Sequence, residues 1–142
     1  MTRGRCARLL AGVLLLAWSA FMVRMTLWPH FAHHRADQAL NSVITAVSGH
    51  KAHQSFVHGR WEHLGNVALF IPYAVLLRLV GLRTWMVIAV SAVTSGAIEL
   101  AQKLWLPDRV SSLSDVVDNV AGALIGVALM AAIYKVQDRR RT

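Results

Sequence analysis

The sequence contains little cysteine, few acidic residues and few charged residues of any kind. Its single cysteine, Cys6, excludes an internal disulfide and a cysteine-based metal cluster. Charged residues make up 15% of the 142 residues, against about 25% in soluble domains. Hydrophobic residues reach 56%, against about 45–50%. That balance argues against an ordinary soluble domain and also against disorder, which needs low hydrophobicity and high charge.

The motifs of several enzyme classes are also missing. There is no G-x-S-x-G turn, no Walker A loop and no G-x-G-x-x-G fingerprint, so serine-hydrolase, ATP-driven and dinucleotide chemistry have no support. H-E-x-x-H is absent as well. We therefore predict no cofactor and no metal. All seven histidines nevertheless lie in one polar segment, as His30, His33, His34, His50, His53, His58 and His63. A pH-responsive loop explains them more simply than a metal site does.

Long apolar stretches dominate what is present. We predict an all-α, polytopic membrane protein with four transmembrane helices, at about residues 9–28, 64–82, 84–104 and 115–135. Each stretch is long enough to cross the roughly 30 Å hydrocarbon core of a bilayer. Too few residues remain for a separate soluble domain, so we interpret residues 1–142 as a single membrane domain.

The connections between the spans differ greatly in length. Residues 29–63 form a His-rich outer loop, in which 35–47 has the amphipathic spacing of a short helix lying on the membrane surface. Only residues 81–83 separate the second and third spans, which predicts a tight antiparallel hairpin.

A cleaved signal peptide is the alternative interpretation of the first stretch. Basic residues precede a short apolar run, and the small residues Ser19 and Ala20 follow it. Phe21, Arg24 and Trp28 would make a poor mature start, so we favour a span.

The distribution of Lys and Arg predicts the orientation of the chain in the membrane. Net charge is +8, and much of it lies at the two ends of the chain, which membrane orientation explains better than a nucleic-acid partner does. A cytoplasmic N-terminus puts nine Lys and Arg on the cytoplasmic side and six on the other side, over longer loops. We predict a multi-pass protein of the inner (cytoplasmic) membrane with both termini in the cytoplasm.

Polar residues cluster at the facing ends of the third and fourth spans. Glu99 and Gln102 share one helical face with Ser95, and Asp115, Asp118 and Asn119 share another. An ionisable group within a span costs about 2.5–3.5 kcal/mol on insertion scales, so it needs a partner or a function. We expect a polar site at the outer mouth of the bundle, formed by Glu99, Gln102, Arg109, Ser112, Asp115 and Asn119. Secondary candidates are His63, Asn66 and Asp118, and His63 is the histidine expected to point at the cluster.

Structural roles compete with this interpretation. Ser112 and Asp115 fit a helix-capping box, and Glu99 could pair with Lys103 one turn away. Asn119 could simply bind a neighbouring helix, while Gly122 and Gly126 are spaced for close helix packing.

The order of these residues resembles a known family. The pattern comprises Gly65-Asn66, Leu69-Phe70-Ile71-Pro72, a short arginine-bearing turn, Glu99-x-x-Gln102, and Pro107-x-Arg109-x-x-Ser112-x-x-Asp115-x-x-x-Asn119-x-x-Gly122-x-x-x-Gly126. Over about residues 63–135 it is similar to the VanZ-like family of small bacterial membrane proteins. The resemblance implies a site formed by the Glu, Gln, Arg, Asp and Asn, a role in the cell envelope and an association with resistance to teicoplanin-type glycopeptide antibiotics. The His-rich loop and the run Ser111-Ser112-Leu113-Ser114 depart from the family pattern.

Three functions remain open. The polar site could bind or modify an envelope component, such as a lipid-linked or surface glycan or peptide, with Arg109 holding a phosphate. Alternatively, the chain could be a small four-helix transporter, although such proteins carry their key carboxylate in the first span, where this chain has Arg24. Finally, it could be a non-catalytic scaffold whose polar residues hold the helices together.

Overall fold

The computed structural model describes residues 2–27, 42, 54–105 and 113–140, with side chains from residue 5 in the first helix and residue 63 in the second. Four long helices account for almost all of these residues. They are α1 (Thr2–Leu27), α2 (Gln54–Val80), α3 (Thr84–Trp105) and α4 (Leu113–Arg139). All four are long and apolar enough to cross a membrane. Within the described part of the chain, the prediction of an all-α protein with four transmembrane helices is confirmed.

Helix α2 extends well beyond its apolar core. At 1.5 Å per residue, the 27 residues of α2 measure about 40 Å, more than the roughly 30 Å of a bilayer core. Helix α2 already begins at Gln54, inside the predicted loop, because hydropathy marks the part within the membrane whereas backbone bonding continues beyond it. The predicted surface helix at 35–47 lies outside the described residues, apart from Ser42.

The turn between α2 and α3 has the conformation that its glycine allows. Gly81 has a positive φ of 115°, which L side chains rarely adopt. The N–H of Gly81 donates to the Arg78 carbonyl, and the N–H of Leu82 donates to the Leu77 carbonyl, both at 3.1 Å. These two bonds form a Schellman motif. They end α2 within one residue and explain the tight hairpin.

Helices α2 and α4 run parallel and touch at the backbone. A Cβ atom added to Gly122 would lie 2.4 Å from the Val67 carbonyl oxygen, and one added to Gly126 would lie 2.6 Å from that of Ile71. Close approach through small residues is typical of helices packed within a membrane. Both pairs are 55 positions apart, so one register describes the whole α2–α4 contact.

Hydrogen bonds attach the other two helices. The Trp18 Nε1–H on α1 donates to the Leu69 carbonyl of α2 over 3.0 Å, and the hydroxyls of Tyr73 and Thr94 join α2 to α3 over 3.1 Å. Large apolar side chains such as Leu9 and Val93 are exposed, as lipid-facing surfaces require. With α1 and α3 antiparallel to α2 and α4, the bundle has two chemically distinct ends.

Candidate functional site

Polar side chains from all four helices meet at one end of the bundle, here called the polar end. It comprises the last turn of α1, the part of α2 at His63, the last turns of α3 and the first turns of α4. Its described members are Thr26, His63, Ser95, Glu99, Gln102, Asp115, Asp118 and Asn119. At the opposite end, the basic end, lie the start of α1, the 81–83 turn and the last turns of α4.

His63 and two aspartates form the part of the polar end shared by α2 and α4. The Nδ1 atom of His63 is hydrogen-bonded to Oδ2 of Asp118, 55 positions along the chain. This is the same register that the glycine contacts set further along the two helices. Asp115 lies one helical turn before Asp118 on α4 and is 8% exposed. Ligand atoms of His63, Asp115 and Asp118 all lie within 4.8 Å of one another.

Asn119 joins α4 to α3 and leaves one of its own atoms unsatisfied. Its Nδ2 atom donates to the Ser95 hydroxyl over 2.7 Å, and the residue is 4% exposed. Its Oδ1 atom is buried and has no hydrogen-bond partner among the residues that the structure describes. A buried acceptor without a donor costs about 1–3 kcal/mol. The polar end therefore contains a hydrogen-bond acceptor that the described residues do not satisfy.

Glu99 and Gln102 occupy the α3 side of the polar end. Gln102 is 2% exposed, and its Nε2 atom donates to the backbone carbonyl of Thr26 on α1 over 3.0 Å. Glu99 is half-buried one turn beyond Ser95. Because α3 and α4 are antiparallel and Ser95 faces Asn119, helical geometry brings Glu99 to the level of Asp115. Both carboxylates take part in further polar interactions.

The remaining predicted residues fall into three groups. Arg109 and Ser112 lie outside the described residues. Asn66 is half-buried on α2, one turn from His63. Gly122 and Gly126 are buried against the backbone of α2, as the close-packing interpretation of their spacing expects.

One contributor was missed by the sequence analysis, namely the carbonyl of Thr26. The Thr26 hydroxyl donates to the Met22 carbonyl over 2.8 Å. A threonine hydroxyl within an apolar helix commonly obtains its hydrogen bond in this way, from the preceding turn. Its side chain therefore gives no sign that the neighbouring backbone accepts a bond from α3. Ser95 was noticed only as a residue sharing the face of Glu99.

The chemistry of the polar end is dominated by acceptors. Ionised carboxylates accept hydrogen bonds and donate none, with about four lone-pair positions each. Glu99, Asp115 and Asp118 add this capacity to the unsatisfied Asn119 Oδ1. Such an arrangement suits a ligand that brings hydroxyl, amide or amine donors, or a cation.

A known family model matches most of the chain. The family model described as VanZ/LLP1 matches residues 10–134, which takes in all of the α3 and α4 site residues and most of α1. No curated protein and no solved structure matches the chain significantly.

Proposed function

The chain belongs to the VanZ/LLP1 family, and we propose that its polar end binds a component of the cell envelope, a lipid-linked or surface glycan or peptide. Sugar hydroxyls and peptide N–H groups supply the donors for Glu99, Asp115 and Asn119. Arg109 holds an anionic group such as a phosphate, for which its planar fork is suited. In this proposal both termini are cytoplasmic and the polar end faces the outside.

The single observation that carries the proposal is the buried, unsatisfied Oδ1 of Asn119 beside Asp115 and Asp118. A site selected only to hold helices together gains nothing from a buried acceptor without a donor. A donor-bearing ligand removes that penalty on binding. Departures from full polar satisfaction are concentrated at functional sites.

Depth in the membrane supports a headgroup as the ligand. Asp115 lies in the first turn of α4, and Gln102 lies in the last turn of α3, which ends at Trp105. Groups this close to the helix ends lie near the headgroup layer, which flanks the roughly 30 Å hydrocarbon core. A lipid-linked glycan would present its sugar and phosphate at that level.

A scaffold is the competing function, and the hydrogen bonds from Asn119 to Ser95 and from Gln102 to Thr26 favour it. Both bonds join helices and need no ligand. The two functions differ in what they predict for the charge of Glu99, because a scaffold tolerates its loss whereas the proposed binding site does not.

Ligand retention on the purified protein tests the proposal. We would reconstitute the full chain in nanodiscs and measure, by native mass spectrometry, retention of a polyprenyl-diphosphate-linked disaccharide-pentapeptide. The comparison probes are the same polyprenyl diphosphate without the glycan, and phosphatidylglycerol. We expect the glycan-bearing lipid to be retained at least tenfold better than phosphatidylglycerol, and Glu99→Gln and Arg109→Lys to lose that preference.

The three lipid probes distinguish recognition of the glycan or peptide from recognition of the diphosphate. Equal retention of the polyprenyl diphosphate with and without the glycan would contradict the glycan or peptide as the recognised group. Equal retention of all three lipids by the wild type and by Glu99→Gln would leave the scaffold as the function.

A further inference from the structure

We propose that His63, Asp115 and Asp118 form a binding site for a divalent transition-metal ion of the Zn²⁺ type. Their ligand atoms lie within 4.8 Å of one another. Metal–nitrogen and metal–oxygen bonds of about 2.0–2.2 Å put two ligands of a tetrahedral ion about 3.4 Å apart. Small side-chain rotations therefore bring the three ligands into contact with a single ion.

The ligand set decides which cation fits. An imidazole nitrogen suits Zn²⁺ and its neighbours, whereas Mg²⁺ and Ca²⁺ prefer all-oxygen sites. Two carboxylates balance the charge of a divalent ion, so the ion neutralises the buried Asp115 and the partly exposed Asp118 together. Three protein ligands leave one position open for water, which is typical of zinc sites that act on a ligand.

The backbone holds the three ligands in place without the ion. Asp115 and Asp118 are one turn apart on α4, so their spacing is that of the helix. His63 is brought to them by the α2–α4 register, which the contacts of Gly122 with Val67 and of Gly126 with Ile71 maintain. The site therefore lies between two helices whose backbones touch.

A neighbouring atom also favours the ion. The unsatisfied Oδ1 of Asn119 is buried one turn after Asp115. A metal-bound water is a strong hydrogen-bond donor, of the kind that this oxygen lacks. Spacing along the chain does not indicate this metal site, because it joins one histidine to two aspartates more than 50 positions away.

The inference does not depend on the envelope ligand, because the ion would bind to the purified protein alone. We would strip the full chain in detergent with a chelator, dialyse it against Zn²⁺, and count bound zinc per chain by atomic emission. The variants are Asp118→Asn and His63→Gln. Asp138→Asn is the matched control, because Asp138 is an exposed aspartate of the same helix at the basic end.

We expect the wild type and Asp138→Asn to bind one more zinc per chain than Asp118→Asn and His63→Gln do. Counting the difference between variants removes any zinc held by the other six histidines. Equal stoichiometry in the wild type and Asp118→Asn would overturn the site. So would equal affinity for Mg²⁺ and Zn²⁺, because it would remove His63 from the ligand set.

Thermal unfolding keeps the test informative if a variant is less stable. Zinc should raise the melting temperature of the wild type and of Asp138→Asn by several degrees, since an ion that binds only the folded state stabilises it. The metal-free melting temperature of each variant serves as its own reference. A zinc-induced rise of the same size in Asp118→Asn would contradict the proposal.

Discussion

The charged side chains at the two ends of the bundle have different surroundings. At the basic end, the Arg78 Nη1 atom donates to the Leu82 carbonyl over 2.6 Å, and its guanidinium lies 6.0 Å from the centre of the Tyr134 ring. This arginine is thus used to close the turn. At the polar end, two carboxylates of α4 converge with a histidine of α2, and an amide oxygen is buried without a donor among the described residues.

The contrast separates a charge with a local structural explanation from the charges for which we propose a ligand. Arg78 contacts the backbone and an aromatic ring near it, so a complete local explanation exists for its charge. At the polar end, by contrast, the described residues leave one buried acceptor, the Asn119 Oδ1 atom, without a donor. Buried polar groups that are incompletely satisfied weaken a scaffold, which is why we assign binding to this end.

The membrane orientation of the two ends can be tested with the largest expected effect, because the result is all or none. If positive charge orients the bundle, the basic end is cytoplasmic. A reporter that is active only outside the cytoplasm should then be silent when fused after Thr142 and active when inserted between residues 29 and 53. Activity after Thr142 would reverse the orientation and place the polar end in the cytoplasm.

Separating α2 from α4 should have the largest effect on stability. Gly122→Ala puts a methyl group against the Val67 carbonyl, and overpacking of this kind costs about 1–3 kcal/mol of unfolding free energy. The matched control is Gly96→Ala, where nothing lies within 4 Å of the added carbon. We expect Gly96→Ala to be neutral or stabilising in denaturant unfolding in detergent. Equal effects would show that the close contact does not hold the polar end together.

Removing one helix-joining bond at the polar end should have a smaller effect. Gln102→Met keeps the length of the side chain but loses the bond to the Thr26 carbonyl, so we expect a loss of about 1–2 kcal/mol. Gln137→Met is the control, because Gln137 is exposed at the basic end and should change stability by less than about 0.5 kcal/mol. If the two variants unfold alike, this bond contributes nothing to the bundle.

The smallest effect is expected at the basic end. Arg78→Lys keeps the charge but loses the planar group that contacts both the Leu82 carbonyl and the Tyr134 ring. We expect a loss of up to about 1 kcal/mol and unchanged retention of the glycan-bearing lipid. Loss of retention in this variant would mean that the two ends are not independent.

Local periodicity predicted the four spans, the 81–83 hairpin and the shared faces of Glu99 with Gln102 and of Asp115 with Asn119. These features depend on hydropathy and on 3.6 residues per turn, both of which can be read from the sequence. The partner of His63 could not be read in this way. Its bond to Asp118 depends on the register between α2 and α4, which close backbone contact at two glycines determines.

The backbone partner of Gln102 could not be predicted from the sequence for a different reason. Every residue has a carbonyl, so nothing in the sequence marks Thr26 as the acceptor. The segments that contain Arg109 and Ser112 lie outside the described residues, so their place in the site remains a prediction from their spacing and from the family resemblance.

The central claim is that the charge of Glu99 serves a ligand and not the bundle. Glu99→Gln tests it most directly, because the amide keeps the shape and removes an expensive intramembrane charge. The measurement is membrane abundance together with the envelope phenotype that deletion causes, for the wild type and the variant side by side. We predict normal abundance and complete loss of the phenotype. Normal abundance with an intact phenotype would contradict the account and leave the scaffold as the function.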